Sequence, residues 1–263
     1  MISLPLTIGI GGRSAYPAYP ADRAGPPEPT PLPWGLKPLG SARSGARRLP
    51  DGRLCYWIEH EPLKGVTPEM LAWWFSHLEG DVVIAGQRIN RYRAWHPYDH
   101  VHASYARRRP DGSIGPGAAI RLREYLGANR AYAVDTLTDI EKLDAEGFIH
   151  NPRIHGIPGL ARMEYEFKAV PEGTLFTNRL IIGGASGWRR LVTPIIQRFG
   201  FNHERGLAWL RHNIEEVGLL EHFLPDLHRQ ETAAQGALPA ASLISNGAVR
   251  SQACEIESVQ AGR

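Results

Sequence analysis

Six short strand-like runs occupy the middle of the chain and limit the folds that it can adopt. They are rich in β-branched and aromatic residues, and Gly, Pro and Asp separate them: DVVIAG, HVHASYA, AAIRLREYL, RAYAVDTL, ARMEYEFKAV and TLFTNRLIIG. No helical segment alternates with these runs, although parallel strands need such crossovers. The pattern therefore predicts an antiparallel sheet.

Two helices are predicted around these strands. The first begins with Thr67 as N-cap and Pro68 at the first helical position, and Gly80 is expected to end it. Its predicted core side chains are Leu71, Trp74, Phe75 and Leu78. The second helix covers residues 201–223 and has apolar residues around most of its circumference. We therefore expect an α+β fold, in which a curved antiparallel sheet holds one long C-terminal helix.

The two ends of the chain differ in composition from its middle. Residues 1–50 are rich in Pro, Gly and Ala and predict an extended arm, and residues 229–263 predict a loosely ordered tail. Residues 51–228 are then the functional domain.

Composition also bears on partners and location. No apolar run approaches the roughly 20 residues that span a bilayer, so no membrane partner is expected. The formal net charge is +3 with scattered basic residues, which argues against nucleic acid. The cysteines, Cys55 and Cys254, lack metal-type spacing and fit a reducing, cytoplasmic location.

Strand alternation places one carboxylate on an apolar face. In AAIRLREYL, Glu124 shares its face with Ile120, Leu122 and Leu126. A lone buried carboxylate loses several kcal/mol of hydration unless a cation or strong donors compensate for it. Glu124 therefore predicts a buried positive partner.

The segment RYRAWHPYDHVHASYA carries three histidines. A strict period of two groups His100 with His102 and Ser104, and hydrophobicity alone does not decide whether this set faces the core. For a single histidine, a hydrogen bond to a backbone carbonyl is the commoner role. His96 precedes a proline and is more typical of a turn.

The final helix offers two more ligand types at matching spacing. His212 and Glu216 are four residues apart and lie on one helical face, and Glu215 and His222 are weaker alternatives. His212 and Glu216, together with His100 and Glu124, would form a site of two imidazoles and two carboxylates. Such a set suits Zn²⁺, and also Fe²⁺ or Mn²⁺.

Four segments resemble the diacetylphloroglucinol hydrolase family, which includes phloretin hydrolase: WWFSHLEG, RYRAWHPYDHV, GAAIRLREYLG and RHNIEEVGLLEHFLPDL. The resemblance covers roughly residues 55–228. It implies a Bet v1-like helix-grip fold with a smaller N-terminal part, a homodimer, and a zinc site formed by His100, Glu124, His212 and Glu216. It also implies cleavage of the carbon–carbon bond between an acyl group and a phenolic ring.

The resemblance implies further site residues as well. Tyr92, eight residues before His100, would bind substrate oxygens, and we expect His96 and Asp99 to hold His100 from behind. Ala103 replaces an expected asparagine, which leaves the substrate open. The expected reaction protonates the ring carbon, and a water activated by zinc attacks the acyl carbonyl. The alternatives are a non-catalytic carrier of aromatic molecules and another metal enzyme, such as a non-haem iron oxygenase.

Overall fold

The computed structural model describes residues 25–237. Its strands are β1 (Ala42–Arg48), β2 (Leu54–His60), β3 (Leu63–Lys64), β4 (Asp81–Ile84), β5 (Gln87–Asn90), β6 (His100–Arg107), β7 (Ala119–Tyr125), β8 (Ala133–Asp144), β9 (Gly147–Pro152), β10 (Ala161–Val170) and β11 (Gly173–Ile182). Its α-helices are α1 (Pro68–Phe75), α2 (Arg91–Trp95), α3 (Gly187–Ile195), α4 (His203–Val217) and α5 (Leu220–Ala237). A π-helical turn, Ile196–Gly200, continues α3.

Within residues 25–237, nine strands form one sheet in the order β1-β2-β11-β10-β9-β8-β7-β6, with β3 paired to β11. All of these pairings are antiparallel, as the run pattern predicts. The run DVVIAG contributes instead to a separate hairpin of β4 and β5. Because α1 and α4 pack on this sheet, the α+β helix-grip prediction is confirmed.

Strand alternation determines which side chains enter the core. In β10, Tyr165 and Phe167 are buried, whereas Glu166 and Lys168 are exposed. A period of two predicts this arrangement.

Helix α1 begins as predicted but ends earlier. The Thr67 hydroxyl accepts a hydrogen bond from Met70 N, which caps the helix. The helix ends at Phe75 and does not continue to Gly80, because the Ser76 hydroxyl donates to Trp73 O at 2.8 Å and competes for this carbonyl. The four predicted core side chains are at most 2% exposed: Leu71, Trp74, Phe75 and Leu78.

The prediction of one long C-terminal helix over residues 201–223 is wrong. The chain turns after Val217, where the amides of Gly218 and Leu219 both donate to Glu216 O, and a second helix follows. Pro225 lies in the second turn of that helix, α5. A proline there removes one backbone hydrogen bond without ending the helix.

The predicted arm and tail are structured where the structure describes them. Strand β1 falls within residues 1–50 and pairs with β2, so a boundary at residue 50 divides a hairpin. Helix α5 continues past residue 229 to Ala237. The rest of the arm and tail, residues 1–24 and 238–263, lies outside the described residues. Among the helices of residues 25–237, none is both long and apolar enough to span a bilayer.

Candidate metal centre

The four predicted ligands meet between β6, β7 and α4. His100 Nε2 lies 3.7 Å from Glu124 Oε2 and 3.2 Å from Glu216 Oε2. His212 Nε2 lies 3.9 Å from the same Glu124 oxygen and 3.4 Å from the same Glu216 oxygen. Two nitrogens and two oxygens from three separate elements therefore surround one point.

The ligand atoms of His100, Glu124 and His212 all lie within 4.8 Å of one another, and this group does not include Glu216, whose Oε2 lies close to both imidazoles. The N–O separations of the four residues can be compared with the edges of a tetrahedral site. With metal–ligand bonds of about 2.0–2.2 Å, the edges of a tetrahedron measure about 3.3–3.6 Å. The four N–O separations range from 3.2 to 3.9 Å, which brackets those edges. The side chain of Glu124 is 14% exposed, whereas those of His100, His212 and Glu216 are 4% exposed or less, so the site opens on the Glu124 side.

His100 presents an unsatisfied nitrogen to this point. Its Nδ1 lies 2.8 Å from Tyr92 O, to which it can only donate, so the neutral ring carries its proton there. Its Nε2 is buried and has no hydrogen-bond partner within residues 25–237. A buried acceptor of this kind is costly unless something binds it, and a metal ion satisfies that need.

A β-bulge decides which face of β6 enters the site. His100 pairs with Glu124, but His102 pairs with Arg123, so the register shifts between His100 and His102. The extra residue reverses the alternation, and Ala103 joins His100 on the inner face. The grouping of His100 with His102 and Ser104 is therefore wrong.

Asp99 supports His212 and not His100. Its Oδ2 accepts a hydrogen bond from His212 Nδ1 at 2.8 Å, which directs His212 Nε2 to the common point. His96 stacks on the His212 ring, with centroids 4.7 Å apart, and its Nε2 lies 3.4 Å from Glu215 Oε2. The expected contact of Asp99 with His100 is therefore wrong. His96 contacts both histidines, because its ring centroid lies 5.6 Å from that of His100 and its carbonyl oxygen accepts from His100 N at 3.2 Å.

Charge within the site is strongly coupled. Burial by itself would lower the pKa of His212, but Glu216 and Asp99 raise that pKa well above its usual value. Burial would raise the pKa of Glu216, but the nearby His212 and His100 lower it to about 2. Without a metal, the site therefore contains an imidazolium beside carboxylates.

Tyr92 contacts two of the four predicted ligands. Its ring stacks on His100, with centroids 3.7 Å apart, and its hydroxyl donates to Glu124 Oε2 at 2.6 Å. Burial and the carboxylates of Glu124 and Glu216 raise its pKa well above the usual value, so the hydroxyl keeps its proton.

Two adjoining cavities reach the site. The inner one has a volume of about 40 Å³, and its lining includes Phe75, Tyr92 and Tyr165. The outer one, of about 220 Å³, continues from Glu124 to the rim at Phe201. Both cavities are lined by Leu122, Glu124, His150, Met163 and Trp209, so they adjoin at this carboxylate.

His150 is a site residue that the sequence reasoning missed. It lies in β9, a strand absent from the predicted runs, although the alternation in GFIHNP puts Phe148 and His150 on one face. Its Nδ1 lies 2.6 Å from the Thr138 hydroxyl, and burial lowers its pKa to about 3. His150 is therefore a neutral imidazole in the cavity wall.

The two alternative ligands lie away from the common point. Glu215 accepts a hydrogen bond from Arg211 Nε at 2.8 Å and contacts His96. His222 stacks on Trp34, with centroids 5.2 Å apart. The ranking of His212 and Glu216 above them agrees with this geometry.

Comparisons with known proteins agree with the resemblance. Residues 39–137 match the family described as the DAPG hydrolase PhiG domain, which supports assignment of the chain to that family. The matched segment contains Tyr92, His100 and Glu124, and α4 lies outside it. No curated protein matches the sequence.

Solved structures show only distant similarity. The solution structure of the KanY protein has a TM-score of 0.41 at 10% identity and covers 65% of this chain and 94% of its own. A START superfamily protein from Mycobacterium smegmatis has a TM-score of 0.36 at 13% identity and covers 66% of this chain and 99% of its own. Likenesses at this level do not inform function.

Proposed function

We propose, with membership of the DAPG hydrolase family as the premise, that this protein is a zinc-dependent hydrolase of acylated phenols. The bond cleaved is the carbon–carbon bond between the acyl group and the phenolic ring. One observation supports this proposal above others: the ligand atoms of His100, Glu124 and His212 lie within 4.8 Å of one another beside a cavity with aromatic walls, and Glu216 Oε2 lies 3.2 and 3.4 Å from the two imidazoles.

Zinc would be held by His100, Glu124, His212 and Glu216. A zinc ion supplies a Lewis acid that polarises a carbonyl oxygen and lowers the pKa of water. The mixed N and O donor set, the four separations and the unpartnered His100 Nε2 all fit this ion.

The cavity wall suits an aromatic ring. Phe75 stacks on Phe148 and Tyr165, with centroids 4.7 and 5.5 Å apart, and all three side chains line the inner cavity. The inner cavity of about 40 Å³ is too small for an aromatic ring, so a ring would lie in the adjoining outer cavity of about 220 Å³, with these aromatic side chains at its inner end. Because Glu124 lines the outer cavity, we propose that the acyl group of such a ligand lies beside this carboxylate.

Carbon–carbon cleavage needs a proton on the ring carbon, because an aryl carbanion is too unstable to leave. The Tyr92 hydroxyl keeps its proton at neutral pH and lies at the edge of the cavity, so it can hold a phenolic oxygen. It can also relay a proton from a substrate hydroxyl to the ring carbon, accepting one proton as it gives one, so that no buried tyrosinate forms. His150 is neutral, and with Nδ1 engaged by Thr138, its Nε2 remains to contact a substrate oxygen.

A direct test combines metal analysis with product analysis. Protein purified without added metal should contain about one zinc per chain, and it should cleave members of a panel of acylated phenols into a phenol and a carboxylic acid, identified by mass. Glu124→Gln should lose both zinc and turnover. Glu164→Gln, on the outer side of the sheet, serves as the matched control and should keep both.

Four results would contradict the proposal. Turnover that survives complete chelation would exclude a metal enzyme, and full zinc with full turnover in Glu124→Gln would exclude this ligand set. Tight binding of the phenols without any product would identify a carrier. Loss of turnover under anaerobic conditions would identify oxygen chemistry. The homodimer and the cytoplasmic location remain predictions.

A further inference from the structure

Large apolar side chains project into solvent from α3 and the π-helical turn that follows it. Trp188, Leu191, Ile195 and Phe199 are 51%, 79%, 58% and 76% exposed. Their spacing of three, four and four residues places them along one side of the helix. Scattered single apolar residues are normal on a protein surface, but a contiguous stripe marks an interaction site.

The same segment is basic. Residues 187–200 contain Arg189, Arg190 and Arg198 and no Asp or Glu. The guanidinium of Arg189 lies 5.0 Å from the Trp188 ring, and that of Arg198 lies 5.4 Å from the Phe199 ring. Cationic groups therefore flank the apolar stripe directly.

A basic surface cavity of about 740 Å³ lies beside the same helical segment, although none of the four apolar side chains lines it. Arg190 and Arg198 line it from the helical side, and Arg47 and Arg48 line it from β1. Asp51 lies in the same wall, but it is paired with Arg53 at 2.7 Å. The cavity wall thus carries four guanidinium groups, of which that of Arg48 already donates to Gly52 O at 2.8 Å and to Gln197 Oε1 at 3.0 Å.

We propose that this face binds the surface of an anionic membrane. The four apolar side chains enter the boundary between headgroups and acyl chains, and the arginines contact lipid phosphates. The arginines beside the stripe favour an anionic surface over a second copy of the same basic face, and self-association is tested below as the alternative. The expectation of no membrane partner considered only spanning segments, and a helix that lies in the interface needs no such length.

Binding in this orientation would bring the membrane close to the outer cavity of the candidate metal centre. The turn Ile196–Gly200 ends at the rim of the outer cavity, which Gly200 and Phe201 line. A membrane held against α3 would therefore lie beside this part of the cavity wall. The membrane proposal does not depend on the reaction, because vesicle binding is measured without turnover.

The test is co-sedimentation of the full chain with extruded vesicles. Vesicles of 70% dioleoyl phosphatidylcholine and 30% dioleoyl phosphatidylglycerol should bind the protein, and vesicles of phosphatidylcholine alone should bind it at least tenfold more weakly. Raising sodium chloride from 50 to 500 mM should release it, since surface electrostatics are screened. Arg190→Gln with Arg198→Gln should weaken binding roughly 30-fold, at about fivefold per arginine.

Apolar variants and matched controls complete the experiment. Leu191→Ser with Phe199→Ser should weaken binding at least tenfold, whereas Val83→Ser, 64% exposed on the separate hairpin, should not change it. Arg229→Gln, on α5, is the control for charge. Equal binding to neutral and anionic vesicles, or no binding by the full chain, would overturn the proposal. Dissociation of a dimer by Leu191→Ser with Phe199→Ser, seen by light scattering, would make the face a self-association surface and would also overturn it.

Discussion

Asp99→Asn should weaken zinc binding although Asp99 is not itself a proposed ligand. Its Oδ2 accepts hydrogen bonds from His212 Nδ1 at 2.8 Å and from Gly127 N at 2.7 Å, and its Oδ1 accepts from Ala128 N at 2.7 Å. Three donors therefore converge on two carboxylate oxygens. An asparagine keeps one oxygen, and its NH₂ group must face at least one of these donors.

The size of the effect follows from the bond that is lost. A hydrogen bond to a charged group contributes about 1.5–3 kcal/mol, and changes behind a metal ligand reduce affinity by about 10- to 100-fold. Without a carboxylate at Nδ1, the His212 ring can place its proton on Nε2, the atom that faces Glu124 and Glu216. We expect the zinc Kd of Asp99→Asn to rise about 10- to 100-fold.

The assay is zinc titration of metal-free protein against a chromophoric chelator. Nitrogen-15 NMR of the His212 ring should report a proton on Nδ1 in the zinc-loaded wild type. Asp111→Asn, in an exposed loop, is the matched control and should leave the Kd unchanged. Wild-type zinc affinity in a natively folded Asp99→Asn protein would refute the reasoning.

Three further predictions address the site and the core. The pKa of Glu216 is lowered from 4.5 to about 2, so its contribution to metal-free stability is present above pH 4.5 and is lost toward pH 2. Denaturant curves of the metal-free protein should show that its free energy of unfolding falls by roughly 3 kcal/mol more than that of Glu216→Gln between pH 4.5 and pH 2. An equal dependence of the free energy of unfolding on pH in both proteins would contradict this. Tyr92→Phe removes the hydrogen bond to Glu124 and should lower kcat roughly 10- to 100-fold at unchanged zinc content; zinc lost in parallel would point to a structural role. Trp74→Ala, at a fully buried position, should lower the free energy of unfolding by about 3–5 kcal/mol in urea, whereas exposed Trp188→Ala should change it by less than about 1 kcal/mol; similar losses in both would contradict the core assignment.

Local patterns predicted those features that local physics determines. A period of two placed Glu124 on the inner face of β7, and the interval of four in α4 placed His212 and Glu216 side by side. The N-cap at Thr67 likewise predicted where α1 begins. Each feature depends on backbone geometry over a few residues, which a single sequence reveals.

Features that depend on tertiary contacts could not be predicted this way. The bulge in β6 inserts one residue, and no local signal distinguishes the bulge from a regular strand. A strict period of two therefore predicts the wrong residues on the face that His100 occupies. The role of Asp99 depends on where α4 crosses β6, since His212 is distant in sequence. The end of α4 was missed because Gly218 is a weaker stop signal than the nearby Pro225.

The two proposed imidazole ligands are oriented by different partners, and this difference bears on the charge of the ion. His100 donates to the neutral carbonyl of Tyr92, whereas His212 donates to the carboxylate of Asp99. Glu124 and Glu216 bring two negative charges to the common point, which a divalent cation balances in a buried site. Asp99 needs no further cation, because it also accepts backbone N–H groups at 2.7 Å. The donor set therefore favours a divalent ion over a monovalent or a trivalent one. Its second carboxylate also separates it from the two-histidine, one-carboxylate sites typical of iron oxygenases.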